Sequence, residues 1–276
     1  ILMPTRDCVE ILSHGVSKLL SLTDYEDYRL TIIDNESCDP ACLEYLREIQ
    51  DDPRVKVVPH SGSFNFSALI NSAARESSAD VLVMLNNDME VINHDWLTEM
   101  VSHAMREEIG AVGAKLFYPS DYIQHAGVIL GVGPDRRAGH SFTGFYTHDT
   151  GHMGRLRLSQ NYSAVSGACL AVRRELFWEV GGLDEENLAV AFNDVDFCLK
   201  LQSVGYRNLW TPYAQLYHFE SYTRGYDVEG EKRDRFIIER DFMREKWGSV
   251  LDNDPSYNPN LTRDFENFDL EWSGRV

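Results

Sequence analysis

The chain is short of several signatures that would classify it at once. No apolar run approaches the ~20 residues that span a bilayer. The opening "ILMPTRD" has no basic region, apolar core or cleavage site of a secretory signal. Gly-rich phosphate loops of the GxGxxG or GxxxxGK(S/T) type are absent, which argues against a dinucleotide-binding Rossmann enzyme and a P-loop NTPase. The five cysteines, Cys8, Cys38, Cys42, Cys169 and Cys198, are odd in number and form no CxxC pair. Reduced thiols are therefore expected, not a zinc site or a disulfide frame. Positive charge is scarce: 26 lysines and arginines against 44 acidic residues leave a formal net charge of −18, which repels nucleic acid and anionic lipid at long range. An anionic ligand such as a nucleotide would need local neutralisation, and a divalent metal held by carboxylates could supply it. There is no initiator Met, so a piece of a longer polypeptide is expected.

What is present is an ordinary globular composition, 43% hydrophobic and 25% charged over 276 residues, enough for one large α/β domain or two small ones. The first third alternates strands and helices. "ILMPTRD" is a short strand and loop, Val9 to Leu22 has helical periodicity, and "YRLTIIDNES" is a strand. A helix follows over Pro40 to Gln50, then the strand "VKVVPH", a helix over Ser67 to Ser77 and the strand "DVLVML". This is βαβ spacing and predicts a parallel sheet, whose ligands sit beyond the carboxyl ends of its strands. Three strand ends carry polar clusters expected on one edge: Pro4-Thr5-Arg6-Asp7, Asp34-Asn35-Glu36-Ser37 and Asn86-Asn87-Asp88.

The second half is less regular. "WLTEMVSHAMRE" reads as an amphipathic helix, "GAVGAKLFY" as a strand, and residues 119–160 as loops and short hairpins. "NDVDFCLKLQSVGY" reads as a helix from an Asn/Asp N-cap to a Gly stop, and "RNLWTPYAQLYHF" as short strands. A C-terminal helix over about Glu229 to Trp247 with a trailing tail is expected to close the chain.

Each chemical motif has a plainer reading beside it. Taken alone, Asn86-Asn87-Asp88 is a turn. At the end of a buried strand in a parallel sheet, Asp88 could instead hold a hard divalent cation that keeps its other positions for water and phosphate. Asn193 or Asp194 could cap a helix with Asp196 in its first turn. Two carboxylates two residues apart cannot share a helix face, so one of them could serve as a general base in a cleft. His218 is either a hydrogen-bonded structural histidine or, beside Asp88, a ligand for Mn²⁺ or Zn²⁺. Asn65 and Ser67 stand at a helix N-terminus that suits an anion, though Ser67 could equally be only an N-cap.

In order, "PTRD", "IIDNES", "FNFSALINSAA", "VLVMLNNDMEV", "SGACLAVRRELFWEVGGLDE" and "FNDVDFCLKLQSVGYRNLWTPYAQLYH" resemble the family 2 glycosyltransferases of the GT-A fold, over about residues 1–220. The resemblance implies an α/β fold: a central, mostly parallel sheet with helices on both faces and a smaller mixed-sheet acceptor half. Its nucleotide-sugar half would be 1–92 and its acceptor half 93–220, with 221–276 as helix and tail. It implies a metal-dependent inverting transferase, of hexosyl or deoxyhexosyl type, moving a sugar from a nucleoside-diphosphate sugar to a saccharide or lipid-linked acceptor. Mn²⁺ or Mg²⁺ is the implied cofactor, held by Asp88 and His218.

Carried onto this chain, Pro4, Thr5 and Arg6 would lie against the nucleotide, Asp34 would bond the base or ribose, and Asn87 would reach the sugar or ribose. Gly167 and Ala168 would line the diphosphate and acceptor cleft, and Asp194 would be the catalytic base. Asn86 departs from the family's DxD motif where its first acid should stand, and Asn193 departs from its later acidic pair. Similar domains build bacterial surface polysaccharides, so a cytoplasmic location is expected, at the inner membrane face if regions beyond this chain bind it. Residues 124–152, with His125, His140, His148 and His152, are the expected home of acceptor selectivity. A non-catalytic sugar-binding module and a nucleotidyltransferase of similar architecture are the rival readings.

Overall fold

The computed structural model describes residues 1–133, 138–219 and 230–271. The first third forms β1 (Leu2–Thr5), α1 (Val9–Leu22), β2 (Leu30–Asp34), α2 (Pro40–Glu48), β3 (Val55–Pro59), α3 (Phe66–Glu76), β4 (Val81–Leu85) and β5 (Met89–Val91). There follow α4 (Trp96–Ala104), β6 (Ile109–Phe117), β7 (Ile123–His125), β8 (Val128–Leu130), β9 (Ala138–His140) and β10 (Gln160–Tyr162). The chain continues through β11 (Cys169–Arg173), α5 (Arg174–Glu179), α6 (Asn193–Ser203), β12 (Arg207–His218) and α7 (Gly230–Asp252).

One large sheet runs in the order β10-β12-β6-β11-β4-β1-β2-β3, with β5 on β12 and β7 on β6, while β8 and β9 pair separately. The run β4-β1-β2-β3 is parallel, as the βαβ spacing predicts. β11 then enters antiparallel to both β4 and β6, and β12 runs parallel to β6. Strands from before and after residue 92 thus share one sheet. The expected boundary between residues 220 and 221 lies outside the described residues.

β4 is apolar at successive positions because both its faces are covered. Leu82 and Met84 join a core with α3, α5 and α6, whereas Val83 and Leu85 join one with α1, α2 and α4. Each such side chain contributes about 1.5–3 kcal/mol by leaving water. Helix α1 supplies Leu12, Val16 and Leu19 at helical spacing. At Gly15 a Cβ would stand 2.7 Å from the carbonyl oxygen of Met89, so only glycine lets α1 approach the segment after β4 this closely.

Three local expectations are corrected. β12 is one twelve-residue strand in place of several short ones; the register slip between Trp210 and Gln215 absorbs Pro212, which has no N–H to give a ladder. Helix α6 is preceded not by an Asn or Asp cap but by Phe192 in the left-handed region, without a side-chain cap. The tail after α7 is anchored: Asp254 Oδ2 accepts the Leu130 N–H at 2.7 Å, and Tyr257 and Phe268 are buried in the core.

Candidate active site

The adjacent parallel strands β4, β1 and β2 bring their three polar ends together. Thr5 and Asp34 are register partners, and Asn87 Nδ2 donates to Thr5 Oγ1 at 2.9 Å. Asn87 and Thr5 are both buried, so Asn87 braces the end of β1. The side chain expected to reach the sugar thus spends one amide hydrogen on Thr5. Pro4 is buried beneath this edge and Arg6 is exposed above it. Asp34 is half-buried and its Oδ1 accepts the Ser37 N–H at 3.0 Å, leaving Oδ2 for other donors. Asp7, next to Arg6, accepts the N–H groups of Cys38 and Asp39. Those backbone bonds, that from Asp39 foremost, hold its carboxyl below the ordinary range.

The end of β4 meets the end of β12. His218 Nε2 lies 3.2 Å from Asp88 Oδ1 and 3.3 Å from Asn86 Nδ2. Its Nδ1 lies 2.7 Å from Gln124 Oε1. Asp88 and His218 are both buried, and Asp88 Oδ1 has no hydrogen-bond partner. A buried carboxylate oxygen without a donor, beside an imidazole nitrogen, is costly unless a cation satisfies it. These two donors fit a divalent ion such as Mn²⁺, which takes both oxygen and imidazole ligands. Among the described residues no cluster of three His, Cys, Asp or Glu side chains gathers to hold a metal, so further ligands would come from the donor and water.

Asp194 stands on the other side of the β4 end, in the first turn of α6. Its Oδ2 accepts the Gly167 N–H and its Oδ1 the Val195 N–H, each at 2.8 Å. A Cβ on Gly167 would lie 3.1 Å from Asp194 Cβ, so this turn is close against the carboxylate. Ala168 continues the turn, and its carbonyl accepts the Asn86 N–H at 3.0 Å, joining the Asp194 side to the Asp88 side through the backbone. The other carboxylate of α6, Asp196, is fully buried and accepts from Trp247 Nε1 and Lys246 Nζ, each at 2.7 Å. That pairing fixes α7 to α6 and leaves Asp194, still partly accessible, as the first-turn acid of α6 that is not tied to α7.

Asn65 and Ser67 do not join the strand-end group. Asn65 is the N-cap of α3, accepting the Ala68 N–H and donating to the carbonyl of Glu185. Ser67 is fully buried, with Oγ donating to Leu188 and its N–H to Ala189. At the helix N-terminus expected to suit an anion, the carbonyls of the 185–189 loop accept from the Asn65 amide, the Ser67 hydroxyl and the Ser67 N–H. Of the four histidines left unassigned, His125 is buried and its Nε2 accepts the Ser166 N–H at 3.3 Å, one residue before Gly167. Burial first, then the neighbouring His140 and His218, hold its pKa well below the ordinary value. His140 packs edge-on against it at 4.8 Å. His148 stacks on the exposed Tyr146, which lies 4.9 Å from Tyr122, and His152 begins a short 3₁₀ turn.

Sequence reasoning missed Gln124 and Glu239. Glu239 of α7 is buried, and its two oxygens accept the N–H groups of Val190 and Ala191 at 2.9 and 2.8 Å, just before α6. The signal for Gln124 was slight: an amide beside His125 in the three-residue β7. For Glu239 nothing local marked it among the other charges of α7.

A family model described as glycosyl transferase family 2 matches residues 1–181. Among curated proteins, the uncharacterized protein y4gI of Sinorhizobium fredii is 45% identical over 98% of this chain and 30% of its own length. The O-antigen biosynthesis protein RfbC of Myxococcus xanthus is 35% identical over 95% of this chain and 20% of its own. The chain thus spans a third or less of these relatives. Among solved structures, the mannosyltransferase PcManGT of Pyrobaculum calidifontis, in complex with GDP-Man and Mn²⁺, superposes with a TM-score of 0.60. It is 18% identical, and the match covers 86% of this chain and 61% of that one. The fold is the GT-A fold of such transferases.

Proposed function

The chain belongs to glycosyl transferase family 2, and on that premise we propose that it moves a sugar from a nucleoside-diphosphate donor to a hydroxyl of a saccharide or lipid-linked acceptor, with inversion at the anomeric carbon. The observation that carries the reading is the pairing of Asp88 with His218 on one side of the β4 end and Asp194 on the other, bridged by the Asn86 to Ala168 backbone bond. The donor nucleotide lies over the ends of β1 and β2, with Asp34 offered to the base or ribose and Arg6 to the phosphates.

Asp194 takes the proton from the acceptor hydroxyl as that oxygen attacks the anomeric carbon, a role worth about 10²- to 10⁴-fold in rate. The Gly167 and Val195 N–H groups fix the direction of its carboxylate, so it need not reorganise during the step. Asp88 and His218 would hold a divalent ion, Mn²⁺ or Mg²⁺, which when bound supplies charge neutralisation for the departing nucleoside diphosphate. The Mn²⁺ and GDP-Man of the Pyrobaculum structure support the class of cofactor and donor. The exposed Tyr146 and His148 rings, with the half-buried Tyr122 beside them, lie at the segment we assign to the acceptor, where an apolar sugar face can stack on them. The name of the Myxococcus relative supports a surface-polysaccharide acceptor. No helix among the described residues is long and apolar enough to cross a membrane.

The test is incubation with a panel of nucleotide sugars and Mn²⁺, reading slow donor hydrolysis. Release of free sugar from one donor is the expected outcome. Pyrophosphate chemistry would point to a nucleotidyltransferase, and silence across the panel to a binding module.

A further inference from the structure

The imidazole of His218 can meet a metal at Nε2 only if its proton sits on Nδ1. What decides that is the group facing Nδ1. Gln124 is buried, and its Oε1, an oxygen that only accepts, lies 2.7 Å from Nδ1. On the other side of the ring Asn86 Nδ2, which only donates, lies 3.3 Å from Nε2 and favours the same tautomer, against the pull of Asp88 Oδ1, an acceptor 3.2 Å from Nε2, so the shorter Gln124 contact is what tips the balance.

Gln124 reaches this position through an irregularity in its strand. Between β6 and β7, Leu116 faces His125 while Phe117 faces Ile123, so Gln124 is the extra residue of a β-bulge. Bulges re-aim a side chain out of the regular alternation, and they gather next to active sites. The bulge is held on both flanks. Ile123 N–H donates to the Phe145 carbonyl at 2.7 Å, and His125 accepts from Ser166.

We infer that Gln124 is a positioning residue that fixes the tautomer and orientation of His218, so that Nε2 presents its lone pair beside Asp88 Oδ1. Metal-ligating histidines are commonly held this way through their second nitrogen, and loss of such a partner costs about 10- to 100-fold in metal affinity. The inference rests on the assignment of Asp88 and His218 as metal ligands.

The experiment uses the full chain, ¹⁵N-labelled and metal-free at about pH 8. Long-range ¹H–¹⁵N correlation reads the His218 tautomer, and electron paramagnetic resonance titration reads binding of Mn²⁺ alone. In the wild type His218 is expected as the Nδ1–H tautomer. Gln124→Met, unbranched and of similar length, should move the population toward Nε2–H and weaken Mn²⁺ by about 10- to 100-fold. Gln124→Glu, whose carboxylate can still accept from Nδ1, should restore the tautomer and the affinity. An Nε2–H tautomer in the wild type overturns the inference, and that measurement stands even if the Met variant does not fold. So does a folded Met variant with unchanged tautomer and affinity. Unchanged Mn²⁺ affinity in His218→Ala would overturn the metal assignment itself, a separate failure.

Discussion

The role proposed for Asp194 is one that Asp196 of the same helix cannot take, because Asp196 is spent on Lys246 and Trp247. Asp194→Asn keeps the shape but cannot take a proton. Donor affinity should stay within about twofold while turnover falls by about 10²- to 10⁴-fold; steady-state kinetics on the donor found by the panel checks this, and near-normal turnover would remove Asp194 from the role. Asp88→Ala deletes the orphaned oxygen, and calorimetry of nucleoside diphosphate with Mn²⁺ should show binding weakened by about tenfold or more, with metal-free binding unaffected. At this scale the sequence was legible for where a residue falls in an element. Asp88, Asp194 and His218 fall at element ends, which the patterning located. The tasks of Asn87, Ser67 and Gln124 were not legible, because their partners lie 82, 121 and 94 residues away. Local pattern states that a side chain is polar, not which distant group will saturate it.

Among the elements, α7 holds the approach to α6. With Glu239→Ala the Val190 and Ala191 N–H groups lose their acceptors at a buried site, at about 1–3 kcal/mol for each donor left unsatisfied. Urea unfolding should show the loss, and turnover should fall with it because residues 190–192 lead directly into the Asp194 turn. A second element-level test is Lys115, buried in β6 against the Phe117 ring, with Nζ 3.5 Å from the Leu156 carbonyl. Burial first, then Arg157, lower its pKa from 10.5 to about 8, while Asp149 opposes them. Between those values the unfolded chain holds the proton and the folded one does not, so stability rises with pH across that window and the full cost of the buried charge is felt below about 8. Lys115→Met should raise the melting temperature at pH 7 and lose that advantage as pH climbs toward 10.5. The parallel strands were readable from the βαβ spacing, but β11 was not readable as an antiparallel insertion. Its apolar run fits a buried strand in either direction, and direction is fixed only by its neighbours.

For the whole molecule, thiol chemistry checks the packing. Cys42, Cys169 and Cys198 are buried and Cys38 is exposed, and burial pushes the Cys169 and Cys198 thiols well up. A thiol reagent on the native protein should label Cys38 first and reach Cys169 and Cys198 only on unfolding. Labelling of all five at one rate would contradict the closed core.

Synthesis gives the position of β11 a further meaning. A nascent chain releases β1 to β4 first, and β4 then waits with a bare, strongly apolar edge until residues 169–173 follow and pair with it. Exposed edges of this kind are templates for association with other chains. A fragment ending at residue 160 should therefore collect in the insoluble fraction, whereas the full chain stays dispersed. The strand that seals this edge is the one that carries Gly167 and Ala168 at its entrance, so the step that protects a new molecule from aggregation also sets down the turn that aims Asp194.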